Sequence, residues 1–145
     1  MRDVCIIGKI KEIGFISNKY IEKRIKEENL PILKNHILLF YILPENGDKI
    51  LFNALAKSWG ISKSSLSEMI VKYENLGLIK KCVCEADRRS VYISLLPEAI
   101  KIKRILQQIE KEFLDKITID FTECEKKAFE SALDKALKSG SEIEI

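Results

Sequence analysis

The chain has 145 residues, the size of one ordinary domain, and carries a formal net charge of +3. Hydrophobic residues make up 46% of it and charged residues 32%, with only 6 glycines and 3 prolines, which excludes a disordered or fibrous chain. The longest apolar run, residues 37–43, is far shorter than the roughly 20 residues that a membrane-spanning helix needs, so we expect no membrane partner.

The charge is unevenly distributed along the chain. Residues 1–35 and residues 57–92 each carry a net charge of +3, whereas residues 105–145 carry −4. A basic middle beside an acidic C-terminal stretch would let one face of the protein meet a polyanion. An ordinary solvated surface explains the same counts equally well, so the charge alone does not identify a partner.

The N-terminal segment and the scarcity of reactive side chains favour a cytoplasmic binding protein. Charges at Lys9, Lys11 and Glu12 interrupt the first apolar stretch, so we expect no secretory signal. Four scattered cysteines are too few for a disulfide framework. His36 is the only histidine, which lowers the expectation of hydrolytic or metal chemistry. We therefore expect no enzyme, no cofactor and no metal site.

In chain order, the first half of the sequence predicts three helices. Apolar residues recur every three to four positions over residues 4–26, which predicts a long amphipathic helix. The almost wholly apolar residues 36–43 predict a buried central helix. A short helix over residues 52–58 is ended by Trp59 and Gly60, because glycine readily takes the left-handed conformation after a helix. No good capping residue precedes this short helix, so the sequence leaves its start open.

The next predicted helix has two faces of different character. Ser62 can cap its first turn, and we expect the helix to run to about Leu76, before Gly77. One face is apolar and consists of Leu66, Met69, Ile70, Tyr73 and Leu76. The other is mostly small or basic and consists of Lys63, Ser64, Ser67, Val71 and Lys72. This second face is free for a partner.

A hairpin and two helices complete the predicted order. Residues 78–84 and residues 90–95 predict two strands, with the turn at residues 85–88. Pro97 stands where the first residue of a long amphipathic helix is expected. The residues from Thr122 to Glu125 fit a capping box, which predicts a last helix with one apolar stripe.

The order of these elements is typical of a winged helix-turn-helix. A short helix is followed by a glycine-containing turn, a second helix with a small polar and basic outer face, and a hairpin with Arg88 and Arg89 at its tip. Such a second helix enters the major groove of DNA, where Lys63, Ser64 and Ser67 can meet base edges and phosphates. The arginines of the wing can reach the adjoining minor groove.

The stretch LSEMIVKYENLGLIKKCVCEADRRSVYISLLPEA resembles the MarR family of transcriptional regulators. The resemblance depends on residues 66–77 as recognition helix, residues 77–79 entering the wing, and residues 87–89 followed by residues 91–95. It covers residues 55–99 as motif and most of the chain as architecture. It implies a mainly α fold with a small β-hairpin wing, in which N- and C-terminal dimerisation helices flank the winged helix-turn-helix. It also implies that Asp87 orients a wing arginine, best matched by Arg89.

The resemblance further implies an organisation and partners. We expect a single domain over residues 1–145, with dimerisation helices in residues 1–30 and 97–138, a DNA-binding core in residues 32–96, and a frayed tail in residues 139–145. The protein would be a homodimer that binds a palindromic operator in double-stranded DNA and responds to a small-molecule effector. The expected DNA-binding residues are Ser62, Lys63, Ser64, Ser65, Ser67, Lys72, Asp87, Arg88 and Arg89. The expected effector contacts, from helix position alone, are Phe15, Tyr20, His36 and Tyr41.

Two other readings of the same pattern remain. A winged helix can serve as a protein-interaction adaptor, although adaptors usually lose the basic outer face that this chain keeps. A thiol or metal sensor of the same fold is the other reading. Cys82 and Cys84 lie two apart on a predicted strand and point the same way, Cys5 lies in the first predicted helix, and Cys124 lies in the last. No third or fourth metal ligand is visible near them. Structural roles are expected for His36, as a hydrogen-bonded core residue, and for Trp59.

Overall fold

Residues 5–145 are described by a computed structural model, and Val4, where the first helix was predicted to begin, lies outside them. The chain divides into two compact units, Met1–Glu110 and Lys111–Ile145, which are described separately. Within the described residues, no helix combines the length and apolar character needed to cross a membrane.

The first unit begins with two helices joined by residues 28–36. Helix α1 spans Ile6–Glu27, close to the predicted residues 4–26, and the Cys5 thiol caps it by accepting from the Gly8 N–H at 3.4 Å. A 3-10 turn, Lys34–His36, leads into helix α2, Ile37–Ile42. The predicted central helix is therefore present, but its first residue, His36, belongs to the 3-10 turn.

The helix-turn-helix follows as predicted. Helix α3 spans Phe52–Trp59 and ends at Gly60, whose φ of 77° is the left-handed conformation that glycine takes at no steric cost. No side chain caps the start of α3, consistent with the missing capping residue in the sequence. Helix α4 spans Lys63–Asn75, and the Ser62 hydroxyl caps it by accepting from the Ser65 N–H at 3.1 Å.

The wing is part of a three-stranded antiparallel sheet. Strand β1 spans Ile50–Leu51, β2 spans Ile79–Val83 and β3 spans Val91–Leu95, in the order β1-β3-β2. The β2–β3 hairpin was predicted, whereas β1 was not. Strand β1 pairs with β3 in the register Ile50↔Ile93, which fastens the start of α3 to the base of the wing.

The core of the first unit is formed by buried side chains from helices α1 to α4, from strands β2 and β3, and from the helix after β3. Helix α5, Pro97–Ile117, starts at the predicted proline, and its residues Ala99, Ile102 and Leu106 pack into this core. The fully buried large side chains from the other elements include Leu39, Phe40, Leu43, Leu55, Leu66, Tyr73, Ile79 and Ile93. Helix α4 is consequently held by its inner face alone, and its outer face stays in solvent.

The second unit contains the end of α5 and helix α6, Glu123–Ser141. The predicted capping box is present: the Thr122 hydroxyl accepts from the Glu125 N–H, and the Glu125 carboxylate accepts from the Thr122 N–H. Helix α6 has no buried residue, although the Phe121 and Phe129 rings meet edge to face at 5.5 Å. The helix continues to Ser141, beyond Ser139, where the frayed tail was predicted to begin.

Candidate nucleic-acid interface

The outer face of α4 is an exposed surface of small and polar side chains. Ser64, Ser67, Glu68 and Val71 line a shallow groove along it, at the spacing of one helix face. The hydroxyls can donate to or accept from base edges, the carboxylate can accept from an exocyclic amine, and the valine methyl groups can meet a thymine methyl. This face therefore offers the contacts with which helices read the major groove.

The first turn of α4 is organised by two serines. The Ser62 hydroxyl accepts from the backbone of Ser65 and donates to the Ser65 hydroxyl at 2.9 Å. Both hydroxyls are thus engaged within the cap, while Lys63 and Ser64 between them are exposed. Of the candidates in this turn, Ser62 and Ser65 have a demonstrable structural role, and Lys63 and Ser64 are open to a partner.

Lys72 differs from the other candidates on α4. It is half-buried, and its ammonium nitrogen lies 5.5 Å from the centre of the Tyr73 ring, a cation–π distance. The side chain therefore lies beside the inner face of α4 and away from the groove. A phosphate contact from Lys72 would come from the flank of the helix.

Asp87 orders the tip of the wing. Its carboxylate accepts from the Arg89 N–H and from the Ser90 hydroxyl, each at 3.0 Å, and its carbonyl accepts from the Ser90 N–H at 2.9 Å. The Cys84 N–H donates to the Ser90 carbonyl at 3.0 Å and closes the loop. Asp87 therefore fixes the backbone that carries the arginines. Asp87 acts on Arg89 through the backbone N–H of Arg89 and not through the guanidinium group.

The two wing arginines project into solvent. Arg88 and Arg89 are both exposed, and neither guanidinium forms an ion pair with any residue in the described range 5–145. Ion pairs elsewhere in the unit occupy other cations, such as Arg104 with Glu45 at 3.2 Å. The wing thus presents two guanidinium groups that form no ion pair within residues 5–145.

Sequence reasoning missed the polar role of Tyr73. This residue lies on the apolar face of α4 and is fully buried, yet its hydroxyl accepts from the Leu33 N–H at 3.2 Å and lies 2.7 Å from Nδ1 of His36. Its ring also meets the Phe40 ring edge to face at 5.2 Å. The signal was a tyrosine among aliphatic residues, because a buried phenol needs a hydrogen-bond partner.

Burial shifts the acid–base chemistry of this pair. Desolvation raises the pKa of the Tyr73 phenol above its usual value. Desolvation, with a smaller contribution from the Lys72 ammonium, lowers the pKa of His36 below its usual 6.5. At neutral pH both side chains are uncharged. The sequence analysis gave two expectations for His36, an effector contact and a hydrogen-bonded structural residue. The hydrogen bond to Tyr73 agrees with the structural role.

The four expected effector contacts do not line the cavity next to the end of α1. A cavity of about 700 Å³ lies between the end of α1 and the 3-10 turn. It is lined by Glu22, Ile25, Lys26, Asn29, Leu30, Ile32, Leu33, Lys34 and Asn35. None of the four is among them: Phe15 is exposed, Tyr20 and His36 are half-buried, and the Tyr41 hydroxyl donates to Glu110 at 3.4 Å.

The thiols do not form a metal cluster in the described part of the chain. Cys82 and Cys84 are half-buried free thiols at the outer strand of the wing, and Cys124 is exposed. Residues 5–145 contain no group of three or more histidine, cysteine or acidic side chains arranged to hold a metal ion. Cys5 lies one residue before α1 and serves as its cap, not within the helix as expected.

The helix-turn-helix and the sheet define the first unit as a winged helix-turn-helix. Comparison with solved structures identifies a group of winged-helix proteins with a similar fold. No protein-family model matches the sequence, and no curated protein matches it. A MarR transcriptional regulator from Methanosarcina mazei Go1 is 23% identical, with a TM-score of 0.80 over 95% of this chain and 98% of that one. The apo form of MarR from E. coli is 15% identical, with a TM-score of 0.74 over 94% and 99%. FabT from Streptococcus pneumoniae, solved in complex with DNA, is 16% identical, with a TM-score of 0.72 over 95% and 99%.

The chain therefore has the fold of the MarR-family transcriptional regulators. The likeness extends over nearly the whole length of both chains in each comparison. The fold expected from the motif in residues 66–99 is confirmed: a mainly α architecture with a small antiparallel wing.

Proposed function

We propose that the protein is a sequence-specific DNA-binding transcriptional regulator. The observation that carries the proposal is the exposed surface made by the outer face of α4 together with two wing arginines that form no ion pair in the described residues. The solved FabT structure contains DNA, which supports the same use of this fold. The role is binding without covalent chemistry, and it suits a cytoplasmic protein.

Each side chain of this surface has a distinct proposed role. Ser64, Ser67 and Glu68 read base edges in the major groove, because they line the open groove of α4. Lys63 binds a phosphate near the start of the helix. Arg88 and Arg89 enter the adjoining minor groove, while Asp87 holds the loop that carries them. Phosphate contacts supply affinity, and the helix supplies specificity.

We also propose a homodimer on a palindromic operator. Helix α1 exposes a row of isoleucines that includes Ile6, Ile10 and Ile13, with Ile6 76% exposed. In the second unit, Leu133 and Leu137 of α6 are likewise exposed. Exposed apolar side chains in a row along a helix are the kind of surface that a partner subunit covers. Two subunits would present two recognition helices to two half-sites.

A small-molecule effector is the last part of the proposal. The cavity of about 700 Å³ between α1 and the 3-10 turn has the volume of a small-ligand site. Leu33, one of its lining residues, donates its backbone N–H to the Tyr73 hydroxyl of α4. A ligand that displaced this segment would therefore act on the recognition helix through a direct hydrogen bond.

Fluorescence anisotropy over a salt series tests the DNA-binding proposal. The duplexes are DNA from upstream of the protein's own coding sequence and a scrambled duplex of equal length. We expect preferential binding of the first duplex and a steep loss of affinity with salt, because bound phosphates release counterions. Arg89→Ala should weaken binding to both duplexes and lower the salt slope by about 1.

Lys138→Ala is the matched control, because it also removes one exposed positive charge but lies at the end of α6. Its salt slope should equal that of the wild type. Absence of binding to either duplex at about 50 mM salt, where phosphate contacts are strong, contradicts the proposed function. An unchanged slope in Arg89→Ala contradicts the role of that arginine alone.

A further inference from the structure

The inner face of α4 is tied to the segment between α1 and α2 by one buried hydroxyl. Tyr73 has no exposed surface, and its phenol oxygen accepts from the Leu33 N–H at 3.2 Å. The same oxygen lies 2.7 Å from Nδ1 of His36. The other inner-face residues of α4, such as Leu66 and Ile70, make only apolar contacts, which fix the position of a helix less directionally than hydrogen bonds do.

The direction of these hydrogen bonds depends on the charge of His36. A phenol has one proton to donate. The Leu33 N–H already donates to the phenol oxygen. The phenol proton therefore gains a partner at His36 only when Nδ1 is unprotonated and accepts it. A doubly protonated imidazole has no acceptor nitrogen. Protonation of His36 would therefore set two donors against one oxygen and leave the buried phenol proton without a partner, which is costly.

We propose that Tyr73 is a positioning residue for DNA binding, and that Tyr73, His36 and the Leu33 N–H form a proton-sensitive latch that holds the recognition helix. The proposal rests on the proposed DNA-binding function. The latch is closed when His36 is neutral and opens when His36 is protonated. Acidification consequently weakens DNA binding.

The charges around His36 favour the neutral form. Lys72 of α4 contributes a positive charge that opposes protonation. Lys34, in the same 3-10 turn, is held 3.0 Å from Glu22 of α1, so that carboxylate is already neutralised. The titratable side chain of α2 is Tyr41, whose phenol bonds to Glu110. Within the described residues, no carboxylate forms an ion pair with His36.

The chain offers an unusually clear readout of this titration. His36 is the only histidine among the 145 residues, so its imidazole is the only side chain whose usual pKa lies between about pH 5 and 8. Its proton NMR signals can be assigned without mutagenesis. The pKa of His36 is lowered from 6.5, so protonation occurs below that pH.

The test compares DNA affinity at about pH 7.5 with DNA affinity at the acidic pH at which NMR shows His36 to be protonated. In the wild type we expect affinity to fall about fivefold, in step with protonation of His36. If His36 acted through its charge alone, DNA affinity would rise on protonation, because a new positive charge on the protein attracts the DNA polyanion. The direction of the change therefore separates the two accounts.

Two variants isolate the hydrogen bonds. Tyr73→Phe keeps the ring and removes the hydroxyl, so binding at pH 7.5 should weaken and the acid-dependent fall should disappear. His36→Gln keeps a side-chain acceptor that never gains a proton in this range, so the profile should be flat, with tighter binding than in Tyr73→Phe. Circular dichroism at both pH values checks that each variant is folded.

The outcomes are distinguishable. If the wild type binds DNA at pH 7.5 and its affinity is constant or rises while NMR shows His36 becoming protonated, the latch is refuted and the DNA-binding function stands. If Tyr73→Phe keeps the wild-type fall, the hydroxyl is not the sensor and the latch is again refuted. If the wild type does not bind DNA at pH 7.5, the proposed function fails, and the latch fails with it.

Discussion

Single polar side chains determine how the candidate DNA-binding surface is presented. Among residues 5–145, the hydrogen-bond partners of Asp87 all lie in its own loop, where its carboxylate accepts from the Arg89 N–H and the Ser90 hydroxyl. An ordered loop loses less conformational entropy when its side chains bind than a mobile loop does. We therefore expect Asp87 to contribute to the proposed DNA affinity although its own negative charge opposes DNA.

Asp87 has two effects on DNA binding, one through its negative charge and one through its hydrogen bonds in the wing loop, and its replacement should change affinity in opposite directions through the two. Asp87→Ala removes a negative charge, which by itself should strengthen DNA binding, but it also frees the loop. We expect the loop effect to dominate and affinity to fall about fivefold, the equivalent of about 1 kcal/mol for the lost hydrogen bonds. Anisotropy with the preferred duplex measures the change.

Glu85→Ala is the matched control in the same loop. Glu85 is exposed and removal of its carboxylate changes the charge by the same amount. Its affinity should rise slightly, since only electrostatic repulsion is removed. Equal affinities of the two variants would show that Asp87 acts through its charge and not through the loop.

At the residue scale, the sequence predicted side chains that act locally and missed those that act across the fold. Ser62, Gly60 and the Thr122 capping box take roles set by their nearest neighbours in the chain, so the pattern sufficed. The partners of the Tyr73 hydroxyl are 37 and 40 residues away in sequence. No local pattern indicates a contact over that separation.

At the scale of elements, the long and strongly periodic segments were predicted within a few residues. Helix α5 begins at Pro97 and α4 ends one residue before the predicted Leu76. Strand β1, Ile50–Leu51, was missed because two residues are too few to show an alternating pattern. It exists only because β3 provides an edge for it to pair with, which is a property of the folded chain.

The turn between α3 and α4 gives a test at this scale. Gly60 has a φ of +77°, where a Cβ atom is disfavoured although no atom lies within 4 Å of it. Gly60→Ala should destabilise the protein by about 1 kcal/mol and lower the melting temperature by about 3 °C. Thermal unfolding followed by circular dichroism measures this difference.

Gly140→Ala is the control for Gly60→Ala. Gly140 lies within α6, has no positive φ, and also has open space around it. Alanine is the better helix former, so the melting temperature should be unchanged or slightly higher. If both variants lose stability equally, conformational strain at Gly60 is not the reason.

At the scale of the whole molecule, exposed apolar side chains are the main argument for self-association. Ile10 in α1 is 66% exposed, and Leu137 in α6 is 75% exposed. One chain leaves these side chains in water, where each carries a cost proportional to its apolar area. The amphipathic stripes were visible in the sequence, and the resemblance implied dimerisation helices at both ends, whereas the exposure of each side chain is seen only in the folded chain.

A light-scattering mass measures the oligomeric state directly. At micromolar concentration we expect about twice the 16.7 kDa of one chain. Ile10→Glu places a charge within the exposed row of α1 and should shift the mass towards one chain. Lys9→Glu, an acidic substitution at the preceding exposed position, should leave the dimer intact. A wild-type mass near 16.7 kDa would contradict the proposed dimer.

The strand order also bears on the colloidal behaviour of the protein. With β3 in the centre of the sheet, β2 is an outer strand with unpaired backbone groups along one side. Such a strand can template the addition of strands from other chains and start aggregation. Lys80 and Lys81 lie exposed in the middle of β2, and a second copy of the strand would bring like charges together. The two lysines therefore keep the wing soluble at high concentration, and their removal would favour fibrous aggregates even in a variant that folds normally.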